Sequence, residues 1–351
     1  MTGVPCMLMR GGTSKGAYFL ADDLPADQAE RDDLLLRIMG TPDPRQIDGI
    51  GGAHPLTSKV AVISASADPD IDVDYLFLQL GVEEPTVSDR QNCGNLLAGV
   101  GPFAVERGLV RPGPEESTVR IRMVNSDSTA VAHFPTPDGV VEYSGDTAIS
   151  GVPGTAAAVV IDFADTEGAS GVLPTGNRVD EIDGIRVTCV DNGMPVVVAY
   201  AKDLGLTGYE PVDQLSADDA LREWVQSLRL RAAELMGLGD VRDSSVPKTT
   251  LVAPPVDGGT IATRTFIPLK LHTSIGVLGA VSVVTAVLLD GAIGNDIARY
   301  SPGATRMDVE HPTGHLQVEV DVDGSADPPK VRRSGVVRTA RKLFDGTVFP
   351  R

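Results

Sequence analysis

Two segments of this chain are apolar on nearly every side over the length of a helix: residues 95–107 (NLLAGVGPFAVER) and 274–290 (SIGVLGAVSVVTAVLLD). A surface helix shows an apolar stripe and a polar face, so a helix apolar all round must be enclosed. What lies around them in sequence is strand-like: short alternating runs at 118–124, 129–134, 185–190 and 316–322, separated by Gly, Pro and Asp. The economical arrangement wraps a sheet around each helix and gives two similar lobes, an α+β architecture rather than an alternating βαβ order. The length, 351 residues, exceeds that of an ordinary single domain and suits two cores. The apolar run 275–289 carries Ser282 and Thr285 and falls short of the roughly twenty residues a bilayer span needs, so it reads as a core helix, with no membrane role.

Two further helices read as peripheral. Residues 217–236 place Leu221, Trp224, Val225, Leu228, Ala232 and Leu235 on one stripe, with Ser216 and Asp219 in capping-box spacing. Residues 26–39 are acidic at the start and apolar at the end, and Gly40 with Pro42 closes them. Inside the first apolar helix Pro102 is expected to remove one hydrogen bond and bend it, and Gly108 is placed to end it. The expected lobes are residues 1–150, with Lys59 and Cys93, and residues 151–335, around the helix at 274–290.

Charge narrows the partners. Thirty basic against forty-eight acidic side chains leave a net charge of −18, which repels phosphate backbones and argues against nucleic acid. An anionic substrate would need that field reversed locally by a few cations and helix N-termini, so each Arg or Lys near a site is informative. Three cysteines, Cys6, Cys93 and Cys189, make no disulfide framework, and the N-terminal residues lack the pattern of an export signal. A cytoplasmic location with reduced thiols is expected.

The segment QNCGN at 91–95 sets a thiol directly ahead of an apolar helix, where unpaired N–H groups and the helix dipole favour an anion. Gly94 lets a ligand approach the backbone, and Asn92 and Asn95 offer amides for a carboxylate or carbonyl oxygen. The alternative for Cys93 is a small packing residue, the usual fate of a free cysteine and the one expected for Cys6 and Cys189. Lys59, in LTSKVAVI, stands at the mouth of an apolar strand after the turn IGGA at 50–53. A lysine desolvated there could take a proton near neutral pH, and a solvated strand-end lysine is the competing reading. Arg10, Thr13 and Ser14, in RGGTSKG at 10–16, combine a cation, hydroxyls and flexible glycines in an anion-holding loop without P-loop spacing. Arg264, His272 and Ser274 precede the second apolar helix, adding a second positive helix end, and two such ends would suit a polyanion.

Several classes lose ground. The five histidines show no paired helical spacing, and HPTGH at 311–315 contains Pro and Gly, so no metal site is expected. No dinucleotide-binding glycine motif, no nucleophile elbow and no recognisable pyridoxal lysine appears.

Taken together, RGGTSKG, QIDGIGGA, LTSKVAVI, QNCGN with GVGPFAVERGLV, VDNGMP and HTSIGVLGAVSVVTA resemble the 4-oxalomesaconate tautomerase family over nearly the whole chain. That family stands beside the 2-methylaconitate and methylitaconate isomerases. The resemblance implies the diaminopimelate epimerase-like fold, two pseudo-symmetric lobes each wrapping a sheet or barrel round a central helix, with residues 336–351 returning to the first lobe as its last strand. It implies a cofactor-independent proton shift in 4-oxalomesaconate, an unsaturated tricarboxylate, within gallate or protocatechuate degradation. The family's active lysine matches Lys59 and its cysteine matches Cys93. Epimerases of this fold carry a second cysteine before the second helix, where this chain has Ser274, so racemisation by two thiols is disfavoured. Two rivals remain: a 2-methylaconitate or aconitate isomerase of the same fold, and a non-catalytic accessory protein for an iron–sulfur dehydratase. A homodimer is the assembly considered.

Overall fold

In the computed structural model, which describes residues 2–163 and 170–351, the chain divides into two compact units, Met1–Ala164 with Arg338–Arg351 and Asp165–Val337. The elements of the first are β1 (Val4–Gly11), β2 (Ser14–Leu20), α1 (Gln28–Met39), β3 (Lys59–Ala65), β4 (Val73–Leu80), β5 (Val87–Ser88), α2 (Gly94–Glu106), β6 (Glu116–Met123), β7 (Ser128–Pro135) and β8 (Ala158–Phe163). The second holds β9 (Asp180–Ile182), β10 (Ile185–Asp191), β11 (Pro195–Tyr200), α3 (Val212–Ser216), α4 (Asp219–Leu235), β12 (Lys248–Ala253), β13 (Ile261–Ile267), β14 (Lys270–Leu271), α5 (Val277–Leu288), β15 (Arg306–His311) and β16 (Gly314–Asp323). The last strand, β17 (Lys330–Val348), begins in the second unit and from Arg338 onward belongs to the first.

In the first unit β1 pairs with β17 and β2, β2 runs parallel to β3, and β3, β4, β6, β7 and β8 follow in order. α2 contacts β1, β2, β3, β4, β6, β7 and β8, which is the enclosure its composition demands. Leu96, Leu97, Val100 and Phe103 are wholly buried, each contributing roughly 1.5–3 kcal/mol relative to exposure. Gly99 has to be glycine, because a Cβ there would lie 2.5 Å from the Tyr18 hydroxyl. The helix runs through Pro102 as one element; its C-cap is Arg107, and Gly108, expected to end the helix, follows that cap at φ 72°.

Alternation gives β2, β3 and β4 two buried faces. Ala17, Phe19, Val60, Val62, Leu78 and Leu80 join Leu35, Ile38 and Met39 of α1 in an outer cluster. Their neighbours in sequence, Tyr18, Lys59, Ala61, Tyr75 and Phe77, take the opposite face, toward α2. α1 starts at Gln28 because the Asp27 carboxylate accepts from the Glu30 N–H at 3.0 Å, and it ends at Gly40 in the left-handed conformation.

The second unit repeats the plan. α5 packs on β10, β11, β15 and β16, while α4 lays Leu221, Val225, Leu228 and Ala232 against Val187, Cys189, Val197, Leu251 and Phe266. Three sequence expectations shift here. The cap of α4 is Asp218, which accepts from the Leu221 N–H at 2.9 Å, not Ser216, which ends α3. Leu235, expected on the buried stripe, is exposed, while the charged Arg229 is buried and donates to the carbonyls of Val241, Ser244 and Val246. α5 starts at Val277 with Gly276 as its N-cap, so Ser274 precedes the helix rather than opening it. Among the described residues no helix is long and apolar enough to cross a membrane.

Candidate active site

Cys93 is the N-cap of α2. Its carbonyl accepts the first helical hydrogen bond from Leu97 N–H at 3.0 Å, and also a bond from the Tyr75 hydroxyl at 3.3 Å. Among the described residues no side chain caps this end, so the N–H groups of the first turn can serve a ligand. A Cβ on Gly94 would meet nothing within 4 Å, so packing does not require glycine here, and open space lies over the helix start.

Lys59 opens β3, and register sets its neighbours. Its Cα partner on β2 is Gly16, where a Cβ would sit 2.7 Å from the Leu96 side chain. Its partner on β4 is Gln79, and Lys59 Nζ donates to Gln79 Oε1 at 2.7 Å. The amide's orientation is fixed, because Gln79 Nε2 donates to the carbonyls of Pro55, Ser58 and Leu80, each at 3.1 Å. The amine also stands 4.9 Å from the centroid of the Phe77 ring. Tyr75, Phe77 and Gln79 alternate along one face of β4, so that face carries the partner of Cys93 at one end and the partner of Lys59 at the other. Both side chains are buried, Lys59 at 7 % exposure and Cys93 at 8 %.

The turn before β3 is held by Gln46, itself buried. Its Oε1 accepts from the Ala53 N–H and the Ser58 hydroxyl, and its Nε2 donates to the Thr41 hydroxyl. This explains QIDGIGGA: one amide ties the Gly-rich turn to the residue preceding Lys59.

The loop between β1 and β2 is Gly12 and Thr13. Asn95, in the first turn of α2, donates to the hydroxyls of Thr13 (3.1 Å) and Ser14 (3.4 Å), and its Oδ1 accepts from the Thr13 N–H (3.4 Å). Gly12, at φ 47°, could carry no Cβ, which would fall 2.3 Å from Asn95 Oδ1. Thr13, Ser14, Gly94 and Asn95 are thus brought together with Cys93. Asn92 donates instead to the Ser126 hydroxyl at 2.5 Å.

Arg10 is not brought there. It alternates with Gly11, whose Cβ direction meets Asn95 and Leu96, so its side chain takes the other face of the sheet, where Nη1 donates to the Gly12 and Thr339 carbonyls and the Thr339 hydroxyl. Arg264, His272 and Ser274 belong to the second unit. Arg264 is buried and donates to the carbonyls of Glu210 and Thr263. His272 Nδ1 accepts from the Ser274 N–H at 2.9 Å, and the Ser274 hydroxyl lies 3.2 Å from His311 Nε2.

Burial pushes the Cys6 and Cys189 thiols up to about 12, as expected of core cysteines. Gln79, Tyr75 and Phe77 escaped the sequence reading. The signal was present, since a glutamine closing an otherwise aromatic face of a strand is a polar group that needs a partner.

The molecule so defined is an α+β protein in which each unit wraps strands around an apolar helix, with a buried cysteine at the start of one of those helices and a buried lysine at the start of a strand packed on it. The sequence matches the PrpF protein family over residues 1–350, and the chain belongs to that family. It is 55% identical over 352 residues to a (4E)-oxalomesaconate Delta-isomerase of Novosphingobium, covering 99% of this chain and 98% of that protein. It is 56% identical over 350 residues to a 4-oxalomesaconate tautomerase of Pseudomonas putida, covering 99% and 96%. The crystal structure of a methylitaconate-delta-isomerase superposes with a TM-score of 0.83 at 35% identity, covering 99% of this chain and 96% of that one.

Proposed function

We propose that this protein is an isomerase that moves one proton within 4-oxalomesaconate, with Lys59 as base and Cys93 as acid. The observation that carries the reading is the pairing of Lys59 Nζ with a neutral amide, Gln79, in the first unit that also places Cys93 at the start of α2. The amide and the Phe77 ring fix the position of the nitrogen without an ion pair. As free amine, Lys59 takes a proton from a carbon acidified by the conjugated carbonyl, leaving a dienolate. The Cys93 S–H delivers a proton at the other end of the conjugated system, and exchange with water returns both groups to their starting forms. Negative charge on the dienolate is met by the uncapped N–H groups of α2, and preorganised donors of this kind contribute several kcal/mol to such steps.

The names borne by the relatives at 55% and 56% identity support the substrate. They also differ, one denoting a double-bond shift and the other a tautomerisation, and both outcomes need one base and one acid along a conjugated face. A role in gallate or protocatechuate degradation, a cytoplasmic location and operation without a cofactor belong to the same reading. The test is a panel of 4-oxalomesaconate, 2-methylaconitate and aconitate, followed by ultraviolet absorbance for conjugation and by NMR for the product. The expected result is a kcat/KM for 4-oxalomesaconate at least about tenfold above the others. A preference for 2-methylaconitate would move the protein to the rival substrate, and no turnover of any would remove the catalytic reading.

A further inference from the structure

On the face of the first unit's sheet turned away from α2, three cations stand side by side in register. Arg10 on β1 is the direct Cα partner of Arg341 on β17 and of Lys15 on β2. Like charges directly opposite one another across strands are destabilising, and a chain of net charge −18 has no shortage of acids to separate them. None is used: no carboxylate among the described residues is ion-paired with Lys15, Arg10 or Arg341. The hydrogen bonds of Arg10 go to the Gly12 and Thr339 carbonyls and the Thr339 hydroxyl. Burial first, and then Arg341, push the Arg10 pKa below the usual guanidinium range.

Beside this row lies a cavity of about 380 Å³, walled by Arg10, Thr339 and Arg341 on one side and by the segment from Tyr143 to Ala156 on the other, all within the first unit. That volume is in the range of sites for small molecules. Its lining includes the hydroxyl residues Ser144, Thr147 and Thr155, while the acid of the covering segment, Asp146, is exposed and does not line it. Guanidinium groups converging with hydroxyls are the donors an oxyanion requires.

We infer that Arg10 and Arg341, with the covering segment, form a binding site for a small organic oxyanion, a carboxylate or a phosphate, on the opposite face of the sheet from Lys59 and Cys93. A phosphate and a dicarboxylate present the same charged oxygens and are distinguished by titration. Inorganic phosphate and succinate are titrated separately into the full-length protein by isothermal calorimetry, using wild type, Arg341→Gln, the double variant Arg10→Gln/Arg341→Gln, and Lys59→Met. Saturable binding of at least one probe is expected, weakened about tenfold or more by Arg341→Gln and abolished in the double variant. Lys59→Met should leave the binding constant unchanged. No saturable binding of either anion, wild-type affinity in Arg341→Gln, or loss of binding in Lys59→Met would each overturn the proposal, the last by placing the anion at the amine.

Discussion

The starts of α2 and α5 differ more than the helices themselves. Both are apolar on all sides, both are enclosed by strands, and neither has a side-chain cap. α2 begins at a thiol followed by a glycine with open space above it, and the Asn95 side chain in its first turn ties down the Gly12–Thr13 loop. α5 begins at Gly276 after a segment whose polar groups bond to one another, Ser274 to His311 and the Ser274 N–H to His272. A Cβ on Gly276 would lie 3.4 Å from Lys248 Nζ, so an amine stands at this end as well, and burial pushes its pKa down. The sides of a buried helix must satisfy packing and tolerate little variation, but the ends carry unpaired N–H groups whose partners are free to differ. One plan can therefore hold a buried lysine and cysteine in one unit and a self-bonded polar cluster in the other.

That contrast breaks most readily at the α2 end. Lys59→Met is expected to lower kcat by about 10³-fold or more, with the fold intact by circular dichroism, because a positioned base contributes ~10²–10⁴-fold. Cys93→Ser should cost about 10²-fold in kcat, whereas Ser274→Ala at the α5 end should cost less than about tenfold. Equal losses in these two variants would erase the distinction between the helix ends. Gln79→Glu sharpens the account of the amine. An acid within hydrogen-bond reach of Lys59 would hold it as an ion pair and oppose its action as a base, so kcat should fall by about tenfold or more with the fold intact by circular dichroism, and wild-type kcat would contradict the role of the amide.

A smaller effect concerns the second unit alone. Desolvation raises the Asp191 carboxyl to about 6, above its unfolded value near 4. Its contribution to stability is fully present below the unfolded value and is lost as pH rises through about 6, since the folded state holds the proton more tightly. Asp191→Asn should flatten the fall in Tm between about pH 4 and 6, and a wild-type slope in that variant would contradict the assignment.

Much of this was legible in the sequence where one residue type and its local periodicity suffice. Residues 95–107 and 274–290 are enclosed because nothing polar faces out, and Cys93 announces itself by preceding an apolar run. Features that depend on register were not legible. Gln79 meets Lys59 only because β3 and β4 pair with those two residues opposite, a relation no local pattern states. Arg10 shares a motif with Thr13 and Ser14, and alternation about the hairpin sends it to the other face of the sheet. Asp218 replaced Ser216 as the α4 cap because α3 occupies the residues just before it.

The division of labour between amine and thiol is tested most directly by following the substrate's acidic C–H by NMR in deuterium oxide. With 4-oxalomesaconate, Cys93→Ser is predicted to wash deuterium into that position faster than it forms product, because Lys59 still removes and returns the proton, and Lys59→Met is predicted to do neither. Wild-type exchange in Lys59→Met would show that the proton leaves by another route.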